Sequence, residues 1–175
     1  TYTTQGFNAT GGSVLKWVRD NFATQEAIEA QSKGEDPYER IISAASSEPA
    51  NVILLPHFGP TGTPHLDPKG AGVLFGLKLS TSRAEVLRAF LEGITYEMRW
   101  NLSILSNAGF RLDELRAVGG GARSEIWMQI KADILGIPLT TMKVTEATCM
   151  GAAILAGKRT GESWAEPIRT FEPRK

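Results

Sequence analysis

The run Leu115-Arg116-Ala117-Val118-Gly119-Gly120-Gly121-Ala122-Arg123-Ser124 holds the most explicit chemistry in this chain. A short apolar stretch breaks into three consecutive glycines, and a helix is expected to open at Ser124. Lacking Cβ atoms, such a turn reaches positive φ and lets a ligand lie against bare backbone. The helix behind it turns unpaired N–H groups and the positive end of its dipole toward the same spot. Strand, turn and helix N-terminus together make a cradle for a nucleotide. The pattern is not a Walker A loop, since no Gly-Lys-Ser/Thr follows, and it is not the G-x-G-x-x-G dinucleotide fingerprint. Read alone, it is equally a tight structural connection.

Other reactive residue types offer less. His57 and His65 stand in a proline-rich loop with no third ligand in reach, so no metal site is expected there. Asp67, which precedes Pro68, fits an Asp-Pro turn at least as well as a magnesium or substrate contact. Glu85 and Asp133 read as capping and solvent-facing residues. Trp17 and Trp127 fall on apolar helical faces and are expected in the core. Cys149, inside an apolar helix, is expected to be a small buried side chain.

The elements that would position these residues follow from spacing. Gly11-Gly12-Ser13 precedes a helix bearing Val14, Leu15, Trp17, Val18 and Phe22 on one side. Short helices are expected between Ala23 and Ala50, one of them from Tyr38 to Ala45. Asn51 to Pro56 reads as a buried strand stopped by proline, His57 to Gly70 as a loop, and Ala71 to Leu77 as a second strand. Ser82 and Glu85 form a capping box for a long helix from Arg83 to about Asn107, closed at Gly109. From Leu115 the order is strand, helix, strand, helix. Gly136-Ile137-Pro138 stops the first helix, Leu139 to Met142 is the next strand, and the last helix runs to Gly157. The expected fold is α/β, a mixed β-sheet flanked by helices, with a right-handed parallel half. Residues 162–175 read as a tail.

Composition sets wider limits. The 175 residues are 42% hydrophobic and 22% charged, in the range of a globular domain with a sizeable core. Nineteen basic and nineteen acidic residues cancel, so no global field points to nucleic acid or to a membrane surface. No run approaches the roughly 20 apolar residues of a membrane-spanning helix. Cys149 is the single cysteine, which excludes a disulfide within the chain and suits a reducing, cytoplasmic compartment. The chain opens on Thr1 in what reads as the middle of a strand or loop, and is expected to be a piece of a longer protein.

Several motifs in series carry a resemblance. Gly119-Gly120-Gly121-Ala122-Arg123-Ser124, with Trp127, Gln129, Ala132-Asp133, Gly136 and Pro138, resembles the C-terminal, nucleotide-side domain of FGGY-type carbohydrate kinases. Glu146-Ala147-Thr148 and Gly151-Ala152-Ala153 resemble the family's next helix, the latter read as a close packing surface. Gly72 to Leu77, with Glu85, Ala89, Leu91 and Glu92, is similar to its second signature, from which Phe90 departs by size. Gly12 to Trp17 resembles the segment whose glycine approaches the ATP phosphates. The likeness runs from about Gly12 to Gly161.

The resemblance implies the actin-like, ribonuclease-H-like ATPase fold, with residues 1–175 as the C-terminal domain of a two-domain sugar kinase whose N-terminal domain is missing. It implies ATP with Mg2+, held between two domains, and transfer of the γ-phosphoryl to a sugar or polyol hydroxyl. Gly121 and Glu125 match positions beside the adenosine, where Glu125 replaces an asparagine of some members. Gly119, Gly120, Ala122 and Ser124 complete the turn, and Gly12 and Lys16 match positions near the phosphates and base. Phe58-Gly59-Pro60-Thr61-Gly62-Thr63-Pro64 resembles the family's F-x-G-x-x-x-P segment with its first glycine one place early. His65-Leu66 stands where many members carry an aromatic pair. The xylulokinase branch is favoured, with glycerol, gluconate, ribulose and fuculose as alternative substrates. The catalytic aspartate and sugar contacts fall before the matched region, so the piece alone is expected to be inactive. Its expected partners are ATP, a small sugar, the missing domain and a second copy of the protein. The alternative from another class is a non-catalytic actin-like module that binds nucleotide or a partner protein. A dinucleotide oxidoreductase lacks its glycine spacing and acidic ribose partner here.

Overall fold

The computed structural model describes residues 3–144, 146–158 and 173. Three helices come first: α1 (Gly11–Asn21), α2 (Thr24–Lys33) and α3 (Pro37–Ser43). Strands β1 (Ile53–Leu55) and β2 (Val73–Phe75) precede the long α4 (Arg83–Asn107). Then come β3 (Leu115–Ala117), a single 3₁₀ turn (Gly120–Ala122), α5 (Glu125–Leu135), β4 (Leu139–Thr141) and α6 (Ala147–Lys158). The expected tail, 162–175, lies outside the described residues except for Pro173, which bridges to Met142.

Helix boundaries follow local chemistry. The Ser82 hydroxyl accepts the Glu85 N–H at 3.2 Å and caps α4. Glu85 uses its carboxylate further, accepting the backbone and side-chain N–H of Asn51 at 3.0 Å each. These bonds hold its pKa below the ordinary carboxylate range. Gly109 at φ +90° and Gly136 at φ +66° supply the left-handed residues that end α4 and α5. Asp36 accepts the Tyr38 N–H at 2.8 Å, with Pro37 in the first turn, and so starts α3. α1 begins at Gly11, so the glycine pair forms the first helical turn rather than a loop ahead of it.

The strands are mixed in direction, as the sequence implies, but they are divided between two ladders. β1 and β2 pair antiparallel, with Leu54 opposite Leu74; β3 and β4 pair parallel, with Leu115 opposite Leu139. Core packing centres on the N-terminal half of α4. Leu87, Phe90, Leu91 and Ile94 meet Val14 and Val18 of α1, Ile41 and Ile42 of α3, Leu54 of β1, and Trp127 and Ile130 of α5. Gly93 lets α4 settle on β1, because a Cβ there would stand 2.6 Å from the Leu54 carbonyl oxygen.

Four expectations are corrected. The first strand is not buried on both faces: Leu54 is 3% exposed, but Ile53 is 58% and, opposite it, Phe75 is 70%. An apolar run shows that a strand can be covered, and its cover is set by what lies above it. Trp17 is half-exposed at the core's margin, against Phe58 with ring centroids 5.0 Å apart. Cys149 is exposed, and a Cβ on Gly151 would meet nothing within 4 Å, so among the described residues α6 presents no tight small-residue seam.

Candidate functional site

The glycine turn leaves β3 and enters α5. Gly119 takes φ +87°, which turns the chain where a side chain would be strained. Gly120 and Gly121 follow in the 3₁₀ turn, both exposed. A Cβ on Gly120 would likewise stand in open space, with nothing within 4 Å. Behind the turn stands Lys131, whose Nζ lies 3.5 Å from the Gly121 carbonyl oxygen and 3.7 Å from the centroid of the Trp127 ring. Burial pushes Lys131 down to about 8. The ring face attracts the remaining cation.

In front of the turn is a cavity of about 750 Å3 between α1, α3 and the start of α5. Gly12, Gly120, Gly121 and Ser124 all line it. Gly12 also has open space where a Cβ would stand. Leu15, Ile42 and Trp127 give the cavity an apolar floor, and Asp36, Tyr38 and Glu39 come from α3 and its cap. The volume is within the range of small-molecule sites. The Ser124 hydroxyl caps α5 through the Trp127 N–H at 3.5 Å and lies 3.2 Å from a Glu39 carboxylate oxygen. That contact ties the starts of α3 and α5 across the cavity. Arg123 on the rim reaches Glu146 at 3.6 Å.

The other proposed site residues stand elsewhere. Lys16 is exposed on α1 and does not line the cavity. Gly119 shapes the turn from outside it. Ala122 is buried behind the turn, and Glu125 lines a separate shallow cleft with Met128 and Gln129. Glu39 and Lys131 were not legible as site residues. Glu39 meets Ser124 across 85 positions of sequence, and no local pattern reports such a pair. Lys131 did leave a signal: a lysine one turn after Trp127, on the apolar side of α5.

The loop after β1 is held by its own bonds. Thr61 accepts the Asp67 N–H at 2.7 Å, and Asp67 in turn accepts the Lys69 N–H at 2.8 Å, which is the turn role for Asp67. His57 pairs with Glu97 at 3.5 Å, and burial raises Glu97 above its ordinary range. No helix is long and apolar enough to cross a membrane among the described residues.

Comparison with known proteins gives a consistent result. Residues 1–159 match the FGGY family of carbohydrate kinases, C-terminal domain. A glycerol kinase of Bordetella parapertussis is 34% identical over 184 residues, covering 99% of this chain and 34% of that protein. A xylulose kinase of Staphylococcus epidermidis is 32% identical, over 97% of this chain and 32% of that one. Among solved structures, a ligand-bound xylulose kinase from Lactobacillus acidophilus superposes with a TM-score of 0.76 at 27% identity, over 97% of this chain and 34% of that chain. Plasmodium falciparum glycerol kinase with ADP gives a TM-score of 0.72 at 25% identity, over 96% of this chain and 32% of that one. The chain thus spans about a third of the length of the curated relatives it matches.

Proposed function

We propose, for a chain that belongs to the FGGY family of carbohydrate kinases as their C-terminal domain, that the cavity before the glycine turn takes the adenosine part of ATP. The whole protein then passes the γ-phosphoryl group of ATP to a hydroxyl of a small sugar. The observation that carries this is the bare backbone: Gly12 and Gly120 both line one cavity, and a Cβ at either would meet no protein atom within 4 Å. The residues fit such a ligand. Leu15, Ile42 and Trp127 offer an apolar surface for a base and keep water from it. Asp36 and Glu39 are acceptors suited to base and ribose donors and repel phosphate. The triphosphate therefore belongs at the glycine side, away from α3. Lys131 holds the turn from behind through the Gly121 carbonyl.

ATP, when bound, supplies the phosphoryl group; this domain contributes positioning and electrostatics rather than covalent chemistry. Mg2+ is the expected counter-ion of the triphosphate, yet no cluster of His, Cys, Asp or Glu suited to a metal is present among the described residues. We assign its protein ligands, the catalytic base and the sugar contacts to the rest of the enzyme. The enzyme is placed in the cytoplasm, where ATP and a reduced Cys149 are both sustained.

For the acceptor, a xylulose-type ketose is our reading, supported by the structural likeness to xylulose kinases. Glycerol is the competitor, since glycerol kinases stand at 33% to 36% identity among the relatives. Screening the full-length enzyme with ATP against ketoses, glycerol and aldonates tests both halves. A higher kcat/KM on D-xylulose than on glycerol supports the ketose. Preference for glycerol removes it, and absence of ATP-dependent transfer to every acceptor removes the kinase reading.

A further inference from the structure

Lys131 stands one turn after Trp127 on α5 and is only 8% exposed. It does not line the nucleotide cavity; it lines a groove on the far side of the glycine turn. Both of its contacts nevertheless belong to the cavity wall. Its Nζ is 3.5 Å from the Gly121 carbonyl oxygen and 3.7 Å from the centroid of the Trp127 ring, and Gly121 and Trp127 both line the cavity. The packing is close because residue 121 is glycine. A Cβ there would stand 3.2 Å from the Trp127 ring and 3.6 Å from the Lys131 Nζ. Trp127 is fixed in turn by its Nε1–H, which donates to the Leu91 carbonyl at 3.4 Å.

The turn in front of Lys131 keeps two donors out of its own bonding. Its bonds run from the Ala122 N–H to the Gly119 carbonyl at 3.0 Å and from the Arg123 N–H to the Gly120 carbonyl at 3.2 Å. The N–H groups of Gly120 and Gly121 take no part in them, as at the start of any helical turn. Such donors suit phosphate oxygens, and a positive charge behind them strengthens the attraction. Other charged groups near Lys131 are engaged elsewhere. On α5, Asp133 bonds Gln129 at 2.7 Å and Glu125 faces a separate cleft. On β3, Arg116 lines the same groove and pairs with Glu114 at 3.4 Å. Among the described residues α1, α4 and β4 give this groove no charged side chain.

We propose that Lys131 is a positioning residue for the triphosphate: from behind the turn its ammonium fixes the Gly121 carbonyl and adds positive charge to the backbone donors in front. This role rests on the nucleotide reading above and belongs to a side chain that touches no part of the ligand. It carries a pH dependence. Burial alone lowers Lys131 to about 8, so the cation is present below that pH and lost above it. A bound triphosphate favours the charged form. ATP binding therefore draws in a proton above pH 8, and affinity falls as pH rises.

The test is calorimetric titration of the full-length enzyme with ATP at pH 7 and pH 9.5, and at pH 8.5 in two buffers of different ionisation enthalpy. Lys131→Met is expected to bind ATP about 10-fold more weakly than the parent at pH 7. By linkage the parent should then weaken about 7-fold between pH 7 and pH 9.5 and take up about half a proton at pH 8.5. Lys131→Met should show neither effect, and a thermal melt checks that it is folded. Equal affinity of the folded variant and the parent at pH 7 overturns the role and leaves the nucleotide reading standing. So does a parent that binds ATP without proton uptake at pH 8.5, whatever the variant does. A parent that shows no saturable ATP binding at pH 7 overturns the nucleotide reading, and this role with it.

Discussion

At Gly120 the space around the α-carbon is empty of protein, which separates binding from folding at that position. Gly120→Val in the full-length enzyme should therefore leave the melting temperature within a few degrees of the parent. It should weaken ATP binding by about 10-fold or more, since its methyl groups occupy the cavity. Calorimetric titration with ATP beside a thermal melt checks both halves. Lys131 makes a different prediction. Its pKa is about 8 in the fold against an ordinary 10.5, so between those pH values the unfolded chain holds a proton that the folded chain has released. Stability therefore rises from about pH 8 to about pH 10.5, and below pH 8 the burial penalty is constant. At about 1.4 kcal/mol per pH unit the full rise is of the order of 3 kcal/mol. Lys131→Met should abolish that slope and raise stability at pH 7, read as urea midpoints at pH 7 and pH 9.5. At this scale the glycine turn at Gly120 and Gly121 and the cap at Ser124 were legible, because missing side chains and a helix cap are local properties. The sequence was silent on Glu39, whose role arises only when α3 folds against α5.

At the scale of elements, α4 organises the domain. Its start was legible in Ser82 and Glu85, its end in Gly109, and its buried side in the spacing of Leu87, Phe90, Leu91 and Ile94. What spacing did not show is how close its neighbours come. Gly93→Ala places a methyl group 2.6 Å from the Leu54 carbonyl oxygen, a backbone atom that moves only with β1. A loss of about 3 kcal/mol is expected, measured by chemical denaturation. Arg88 and Glu92 form a 2.6 Å ion pair one turn apart, with both side chains at least nine-tenths covered. Arg88 also reaches the Ser46 and Ser47 carbonyls at 3.3 Å each. Arg88→Ala leaves the Glu92 charge buried and unmatched, which should cost about 3–5 kcal/mol in the same assay. The double change Arg88→Met with Glu92→Leu should recover most of it, since replacing both charges removes the desolvation cost along with the attraction.

At the scale of the molecule, the expected α/β order was legible because helices and strands alternate with clear stops at Gly109, Gly136 and Pro138. The division into two ladders was not, since pairing depends on which strands lie side by side. Ile53 and Leu55 read as core because an apolar run does not say which of its faces is covered; both are exposed among the described residues. Residues 1–175 expressed alone should show no ATP-dependent phosphorylation of D-xylulose or glycerol, while the full-length enzyme does so; a coupled ADP assay on both proteins checks this. One feature of the β1–β2 hairpin governs how such a truncated protein can be handled. Ile53 lies across from Phe75 and Leu55 across from Val73, all on the outer side and all exposed. Four greasy side chains in paired rows make a sticky patch, and colloidal behaviour rather than chemistry will limit work at high concentration. An acidic residue in place of Phe75 is the simplest remedy, lending the surface repulsion where it now invites clumping.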